Sequence, residues 1–336
     1  MDAQGTHTQG THQQVLDDVE RVTILGTGTM GPSIAAAFAT AGIDVTLWGR
    51  RTESVTQAVE AAHDATTWLH REGLSVDRPG RVEGSEHLEQ AVADAVLAVE
   101  AVSEDTAVKR ELYARVEAAA PTSMVLASTT SGLGPDQLAA DCRHPERFLV
   151  LHFWNPAHLI PLVEVLGGEH TDPQLVAQAS ELLRSMGKYP VELHRFVPGF
   201  IGTRLQQAVV REAIALFEAG VADAADIDAA TRLSFGARFP VMGPLETCDL
   251  GGLDVVAAIH DYLLAELDTS GAPQPALTER VERGELGAKS GRGFYDWSQR
   301  DAGSLSSERD RELLDRIHRL RADGRLDAPS AGGGRG

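Results

Sequence analysis

The chain has 336 residues, of which 43% are hydrophobic and 24% charged, and its formal net charge is -19. This length suffices for two domains with cores of their own, and the composition is that of an ordinary globular protein. The negative charge argues against binding to nucleic acid or to an anionic membrane surface. Two cysteines, Cys142 and Cys248, form neither a disulfide framework nor a metal-ligand spacing, so we expect a cytoplasmic protein without a metal site.

Both ends of the chain are predicted to lie outside the two domains. No apolar run reaches transmembrane length, and the N-terminus lacks the apolar core of a signal peptide. Residues 1–20 are predicted to form a flexible lead-in. Residues 299–336 are predicted to form a polar C-terminal extension that ends in a disordered tail at residues 330–336.

The first strong pattern is a strand that leads directly into a glycine-rich turn. Residues 21–25 read RVTIL, a short strand pattern rich in β-branched residues, and residues 26–31 read GTGTMG. A helical pattern follows, and residues 44–48 form a second strand pattern. This is the context that the dinucleotide fingerprint G-x-G-x-x-G requires. The sequence therefore predicts that NAD or NADP binds here.

Every position of the turn contributes to that prediction. Gly26 allows the tight turn, Gly28 lets the backbone approach a pyrophosphate, and Gly31 permits close packing of helix on strand. Thr29 and Met30 open the helix, whose N-terminal N–H groups attract an anion.

The end of the second strand points to the phosphorylated cofactor. NAD enzymes place Asp or Glu there, whereas this chain reads Gly49-Arg50-Arg51. A guanidinium suits a 2′-phosphate because its donors form a planar fork, so we favour NADP over NAD. Two alternatives stay open: Arg50 and Arg51 are merely exposed charges at the start of the next helix, or Glu53 turns back to the ribose.

Polar turns follow the next predicted strands. Strands at residues 95–99 and 124–127 precede Glu104 and Ser131 respectively. In a doubly wound parallel sheet, which this alternation of strands and helices predicts, ligands bind beyond the carboxyl ends of the strands. The alternative is that the hydroxyls of residues 128–131 only cap the helix that begins near Pro135.

The stretch LHFWNPAHLIPLVEV, residues 151–165, carries the candidate chemistry. His152 stands near the end of a strand, and Glu164 lies in an apolar run, where burial without a partner would be costly. A carboxylate on one imidazole nitrogen would determine which nitrogen faces a substrate. Alternatively, His152 is structural and Glu164 reaches solvent.

The second half of the chain is predicted to be helical. Composition shifts at Val197-Pro198-Gly199, and helical patterns cover residues 200–219, 227–233 and 253–267. We therefore divide the chain into a Rossmann domain at 21–196 and a helical domain at 197–298. The apolar surplus of the helical domain is consistent with a homodimer interface.

Several motifs together resemble the 3-hydroxyacyl-CoA dehydrogenase family, including its 3-hydroxybutyryl-CoA and lambda-crystallin/L-gulonate branches. The motifs are GTGTMG at 26–31, HFWNP at 152–156, LVE at 162–164, PGFIGTR at 198–204, GPLE at 243–246 and KSGRGFYDW at 289–297. The resemblance implies an NAD-type Rossmann domain, a helical dimerisation domain, a catalytic His–Glu pair between them, and a place in fatty acid metabolism.

The resemblance also implies roles for individual residues. His152 would accept the proton and Glu164 would orient it. Ser131 and Asn155 would hydrogen-bond around the substrate and the nicotinamide. Glu104 and Lys109 fall where the family contacts the cofactor.

Two positions and one segment depart from the family pattern. Thr203 replaces an asparagine of the active site, so the polar substrate contacts are altered. The segment of residues 52–80, which holds CoA in the fatty-acid enzymes, contains no lysine. Gly49 replaces the acidic residue of the second strand.

These observations predict an NAD(P)-dependent dehydrogenase of an L-3-hydroxyacyl substrate, first of all a short-chain 3-hydroxyacyl-CoA. A free hydroxy acid, gulonate-like or carnitine-like, or an acyl group on a carrier protein is the alternative substrate. A non-catalytic nucleotide-binding or structural family member is the alternative class.

Overall fold

The structure is a computed structural model that describes Leu16 and residues 19–326. Most of the predicted lead-in and the whole predicted tail at residues 330–336 lie outside the described residues. The chain divides into two compact units, one containing residues up to Phe200 together with those from Asp310 onward, the other containing Ile201–Arg309. Each unit is described by itself.

An eight-stranded sheet forms the centre of the first unit. Its strands are β1 Arg21–Leu25, β2 Asp44–Trp48, β3 Val82–Ser85, β4 Leu97–Glu100, β5 Val125–Ser128, β6 Phe148–Phe153, β7 Leu162–Gly167 and β8 Tyr189–Glu192. The strand order is β3-β2-β1-β4-β5-β6-β7-β8. All neighbouring pairs are parallel except β6 and β7, which are antiparallel. The predicted doubly wound sheet is confirmed.

Helices cover both faces of this sheet. They are α1 Met30–Thr40, α2 Thr52–Arg71, α3 Leu88–Val92, α4 Thr106–Ala119, α5 Pro135–Ala139 and α6 Pro173–Ser185. One apolar cluster joins α1, α2 and α6 to Val22 and Ile24 of β1, and another joins α3, α4 and α5 to Leu25. Successive strand residues enter opposite clusters because side chains alternate across a sheet.

Some elements differ from the predicted ones. The sequence pattern does not predict β3, which contains Glu83 and Gly84, or the short α3. β3 forms by pairing in parallel with β2, from Val45↔Val82 to Trp48↔Ser85. Pairing with a neighbouring strand therefore outweighs the weak intrinsic strand preference of Glu83 and Gly84. β4 begins at Leu97, two residues later than predicted.

The second unit is helical, as predicted. It contains α7 Gly202–Glu218, α8 Ala224–Leu233, α9 Pro244–Gly251, α10 Leu253–Leu263 and α11 Pro275–Glu282. Among the described residues beyond Glu192 only two isolated bridges occur, Gly287 with Arg292 and Arg292 with Asp296. No helix in the described part of the chain combines the length and the apolarity that a membrane crossing demands.

The C-terminal extension contains a long helix, α12 Ala302–Ala322. Its buried residues Leu314 and Ile317 belong to the first unit, where they form an apolar cluster with Leu69, Leu74 and Leu159. The extension that the sequence presents as polar thus contributes to the core of the first unit.

Candidate active site

His152 and Glu164 face each other across the antiparallel strands β6 and β7. The Nδ1 atom of His152 lies 2.7 Å from Oε2 of Glu164, and the indole Nε1 of Trp154 donates to the same oxygen at 3.3 Å. Glu164 is 1% exposed, so it does not reach solvent. The buried carboxylate is therefore satisfied by hydrogen bonds, and it directs Nδ1 of the imidazole away from any substrate.

Two aromatic rings enclose this imidazole, and sequence reasoning assigned a role to neither. The ring of Trp154 is tilted against His152, with centroids 5.6 Å apart, and the ring of Phe200 stacks on it. Trp154 lies in the HFWNP motif and Phe200 in the PGF motif. The motifs thus contained the signal, but only the fold brings Phe200 onto His152.

A charged network lies where β4 and β5 end. Glu100 is fully buried and accepts hydrogen bonds from Lys109 Nζ, Tyr113 Oη and Ser128 Oγ at 2.7, 2.6 and 2.7 Å. Lys109 is 1% exposed and also pairs with Glu104 at 3.2 Å. A buried ammonium is thereby held by two carboxylates. Sequence reasoning missed Glu100, which follows the strand predicted at residues 95–99 but is in the structure the last, buried residue of β4.

Glu104 is the exposed end of this network. Its Oε1 accepts hydrogen bonds from Thr130 Oγ1 at 2.5 Å and from the N–H of Ser131 at 3.0 Å. Burial by itself would raise the pKa of Glu104, but the Thr130 hydroxyl, the Lys109 ammonium and the Ser131 N–H together hold that pKa below its ordinary value. A carboxylate kept charged at this sheet edge can accept hydrogen bonds from ribose hydroxyls.

The hydroxyls of residues 128–131 do not cap the next helix. Ser128 donates to Glu100, and Thr130 donates to Glu104. Helix α5 has Gly134 as its N-cap, without a side-chain capping bond. The side chain of Ser131 is exposed, and its backbone N–H binds Glu104. The capping alternative is therefore wrong for these residues.

The glycine-rich turn fits a dinucleotide. Gly26 has φ +134°, and a Cβ there would lie 2.5 Å from the carbonyl oxygen of Ala101, so only glycine is accommodated. A Cβ at Gly28 would meet no atom within 4 Å, which leaves the turn open at that residue. Thr29, the N-cap of α1, makes no side-chain capping bond, and Met30 begins the helix. Gly31 donates to the Gly28 carbonyl oxygen at 3.1 Å. The N–H of Gly31 is therefore used within the turn and Pro32 has no N–H, so at this helix start an anion would be met by the N–H of Met30.

A cavity of about 310 Å³, here called the Arg50 cavity, opens beside this turn. It is lined by Gly26, Thr27, Gly28, Trp48, Gly49, Arg50, Ala101, Val102, Ser103, Val108, Glu111, Leu112 and Arg115. A Cβ at Gly49 would lie 2.5 Å from Cγ2 of Thr27 and 2.9 Å from Cγ2 of Val55. A side chain at the position where an NAD enzyme carries its carboxylate would therefore require Thr27 and Val55 to shift.

Arg50 and Arg51 differ in their surroundings. Arg50 lines the cavity, whereas the Nη2 atom of Arg51 donates to Ser54 at 3.0 Å and Arg51 is the N-cap of α2. Glu53 lies in the first turn of α2 and is not among the cavity-lining residues. Of these three residues, Arg50 alone belongs to the lining of the Arg50 cavity.

A second cavity, of about 470 Å³, also reaches the turn and is called the Asn155 cavity. It is lined by Thr27, Gly28, Thr29, Pro32, Ser33, Ser54, Gln57, Ala58, Ala61, Ala65, Asn155, Pro156 and His158. Asn155 is thus brought to the same cavity as Gly28 and Thr29. Thr203 lies in the first turn of α7, in the second unit.

Comparison with known proteins identifies the class of this nucleotide-binding fold. The family model for the 3-hydroxyacyl-CoA dehydrogenase NAD binding domain matches residues 21–196, and the model for the C-terminal domain of the same family matches residues 199–297. The chain belongs to the 3-hydroxyacyl-CoA dehydrogenase family of NAD-dependent oxidoreductases.

Individual relatives differ in the substrates that their names state. A 5-formyl-3-hydroxy-2-methylpyridine 4-carboxylate 5-dehydrogenase of Mesorhizobium japonicum is 33% identical over 88% of this chain and 96% of its own length. An L-carnitine dehydrogenase of Streptomyces griseus is 38% identical over 92% of each chain. A crystal structure of a 5-formyl-3-hydroxy-2-methylpyridine 4-carboxylic acid 5-dehydrogenase, described as an NAD+ dependent dismutase, superimposes with a TM-score of 0.86 at 32% identity. The superposition covers 93% of this chain and 100% of that one.

Proposed function

We propose that this protein oxidises the carbinol of a small free hydroxy acid, with a nicotinamide cofactor as the hydride acceptor. The buried pair of His152 and Glu164, 2.7 Å apart, carries the proposal, because it is the arrangement of a general base and its orienting carboxylate. The non-catalytic alternative gives no reason for a charge buried to this degree beside an imidazole.

The chemistry of this chain's own residues follows from that pair. When bound, nicotinamide supplies the hydride acceptor. The Nε2 atom of His152 takes the hydroxyl proton of the substrate, since Nδ1 is engaged by Glu164. The Glu164 carboxylate then stabilises the imidazolium, and Trp154 holds that carboxylate in place. Asn155 and Ser131 are proposed to orient the substrate and the nicotinamide, and Glu104 with Lys109 to bind the ribose.

The charge of the Asn155 cavity favours a substrate without CoA. The side chains of α2 that line it are Ser54, Gln57, Ala58, Ala61 and Ala65, all neutral. The phosphates of CoA need cationic partners, which this face of α2 lacks among the described lining residues. Two of the relatives named above are called dehydrogenases of carboxylates without CoA in their names. A short-chain 3-hydroxyacyl-CoA is the second candidate, favoured by family membership.

We also infer that NADP is preferred over NAD. The support is that Gly49 supplies no ribose-binding carboxylate and that Arg50 lines the adjoining cavity. A solved relative is described as NAD+ dependent. The preference for NADP is therefore inferred from Arg50 and Gly49 of this chain and not from that relative.

A homodimer formed through the second unit is proposed as well. Its support is the number of large apolar side chains exposed there, among them Leu233, Leu245 and Leu250 at 81%, 79% and 75%. Light scattering on the purified protein would measure the molecular mass directly, and a monomer would contradict this proposal.

Steady-state kinetics test the proposed reaction. L-carnitine, L-gulonate, L-3-hydroxybutyrate and L-3-hydroxybutyryl-CoA are assayed with NAD and with NADP. We expect kcat/KM to be higher for at least one free acid than for the thioester. A clear preference for the thioester would replace the first candidate by the second, and no oxidation of any hydroxy compound would contradict the enzymatic proposal.

A further inference from the structure

His158 lies in the loop between β6 and β7, three residues after Asn155, and lines the same cavity. Its Nδ1 atom is 2.9 Å from the Oγ of Ser33, and its backbone N–H donates to that oxygen at 3.3 Å. Ser33 is 8% exposed and belongs to α1. Two contacts with one buried hydroxyl therefore restrict the position of this imidazole.

The loop that carries His158 is held on both sides of it. Lys188, which is buried, donates from Nζ to the carbonyl oxygens of Ala157 and Ile160 at 2.5 and 3.0 Å. Leu159, 1% exposed, belongs to the apolar cluster that α12 completes. The edge of the Trp68 ring faces the imidazole at a centroid distance of 6.3 Å. A side chain on a loop held this way is preorganised for recognition.

The imidazole of His158 also differs in chemical type from the other side chains of the cavity. Among the described residues that line the Asn155 cavity it is the one ionisable side chain, and the others are hydroxyl, amide or apolar groups. An imidazole nitrogen can donate a hydrogen bond in the neutral and in the protonated state. A donor of this kind, in a cavity without competing carboxylates, suits an anionic oxygen.

We propose that His158, positioned by Ser33, recognises the carboxylate of the hydroxy acid and so selects free acids over neutral derivatives. This inference rests on the proposed function, because it places the acid group of the proposed substrate in the cavity that Asn155, a proposed substrate contact, also lines. His158 acts on specificity, while proton transfer belongs to His152.

The test compares an acid with its methyl ester. Wild type, His158→Leu and His158→Asn are assayed with L-3-hydroxybutyrate and L-carnitine and with the methyl ester of each. Loss of a hydrogen bond to a charged group should lower kcat/KM for the acid by about tenfold to a hundredfold in His158→Leu, and KM should account for most of it. The ester should change by less than about threefold, and His158→Asn, which keeps a donor, should recover part of the selectivity.

Two further variants separate recognition from folding. Ser33→Ala should shift the ratio of acid to ester in the same direction but less, because the imidazole of His158 remains while its Nδ1 loses a partner. His63→Leu, at an exposed histidine of α2 that does not line the Asn155 cavity, should leave that ratio unchanged. The KM of the cofactor should stay constant in all variants.

The outcomes distinguish this inference from the function on which it rests. If free acids are oxidised but His158→Leu keeps the wild-type ratio of acid to ester, the role of His158 is wrong and the proposed function stands. If only the CoA thioester is oxidised, the proposed substrate class fails, and the carboxylate role of His158 fails with it.

Discussion

The phenyl ring of Phe200 lies almost parallel to the imidazole of His152, with centroids 5.0 Å apart and an interplanar angle of 23°. Phe200 is fully buried and has φ +49°, and it follows Gly199 with φ +82°. A bulky residue in the left-handed region is strained, and it persists where surrounding contacts hold it. The strained backbone at Phe200 thus positions a ring against the proposed base.

Replacing this ring should affect turnover more than binding. We expect Phe200→Leu to lower kcat by about threefold to tenfold, the rate equivalent of a ring contact worth about 0.5–1.5 kcal/mol. Phe196→Leu is the control: Phe196 packs against Phe200, 6.0 Å away, whereas it is Phe200 that stacks on the imidazole, so this variant should lower kcat less. Equal effects of both variants on kcat would show that the stacking has no particular role.

The His152 and Glu164 pair makes the strongest prediction. His152→Gln should reduce kcat by about two to four orders of magnitude, the usual contribution of a general base. Glu164→Gln should cost less, because the base survives while its orientation suffers. Binding of the reduced cofactor, followed by its fluorescence, should be nearly unchanged in both. Near wild-type turnover by His152→Gln would eliminate it as the base.

Arg50 and Arg51 offer a matched pair for cofactor choice. Arg50→Ala should weaken NADP binding by about 1.5–3 kcal/mol, the worth of a hydrogen bond to a charged group, and leave NAD binding almost unchanged. Arg51→Ala should alter neither, because Arg51 bonds to Ser54 and does not line the Arg50 cavity. Isothermal titration of each cofactor measures these differences. Tighter binding of NAD than NADP by the wild type would refute the NADP preference.

Lys188 should make stability depend on pH. Burial, reinforced by the positive charge of Arg321, lowers the pKa of Lys188 from 10.5 to about 7. The unfolded chain therefore binds more protons than the folded one between these pH values, so the free energy of unfolding should rise with pH across that window. The contribution of this lysine is about 1.4 kcal/mol per pH unit.

Urea unfolding at pH 7 and pH 9 checks this sign. Lys188→Met should lose the part of the pH dependence that Lys188 supplies, although it leaves the carbonyl oxygens of Ala157 and Ile160 without their donor. Lys289→Met, at an exposed lysine, is the control for removal of a positive charge. A Lys188→Met protein with the full wild-type slope would contradict the assignment.

The C-terminal helix should contribute measurably to stability. Ile317 of α12 is 6% exposed in the cluster with Leu69 and Leu159, so Ile317→Ala should lower the free energy of unfolding by about 2–4 kcal/mol. Leu305→Ala, at a position of the same helix that is 43% exposed, should change it by less than about 0.5 kcal/mol. Urea denaturation compares the two variants, and similar values would mean that α12 is not part of this core.

The sequence predicts the fold class because its main signals are local. The strand of residues 21–25, the glycine-rich turn and the second strand at 44–48 coincide with β1, the start of α1 and β2. Each depends on side chains within a few residues of one another, through alternation, helical spacing and the freedom of glycine. The pairing of His152 with Glu164 is also close to a local signal, since the two residues are twelve positions apart on consecutive antiparallel strands.

The tertiary structure alone decides contacts between residues far apart in the chain. β3 forms because it pairs with the neighbouring strand β2. The mostly polar helix α12 joins the core because Leu314 and Ile317 pack against Leu69, which lies more than two hundred positions earlier in the chain. Ser33 and His158 are 125 residues apart, yet they share a hydrogen bond. No local pattern encodes such a pair, because the two side chains become neighbours only after the sheet has brought α1 and the loop after β6 together.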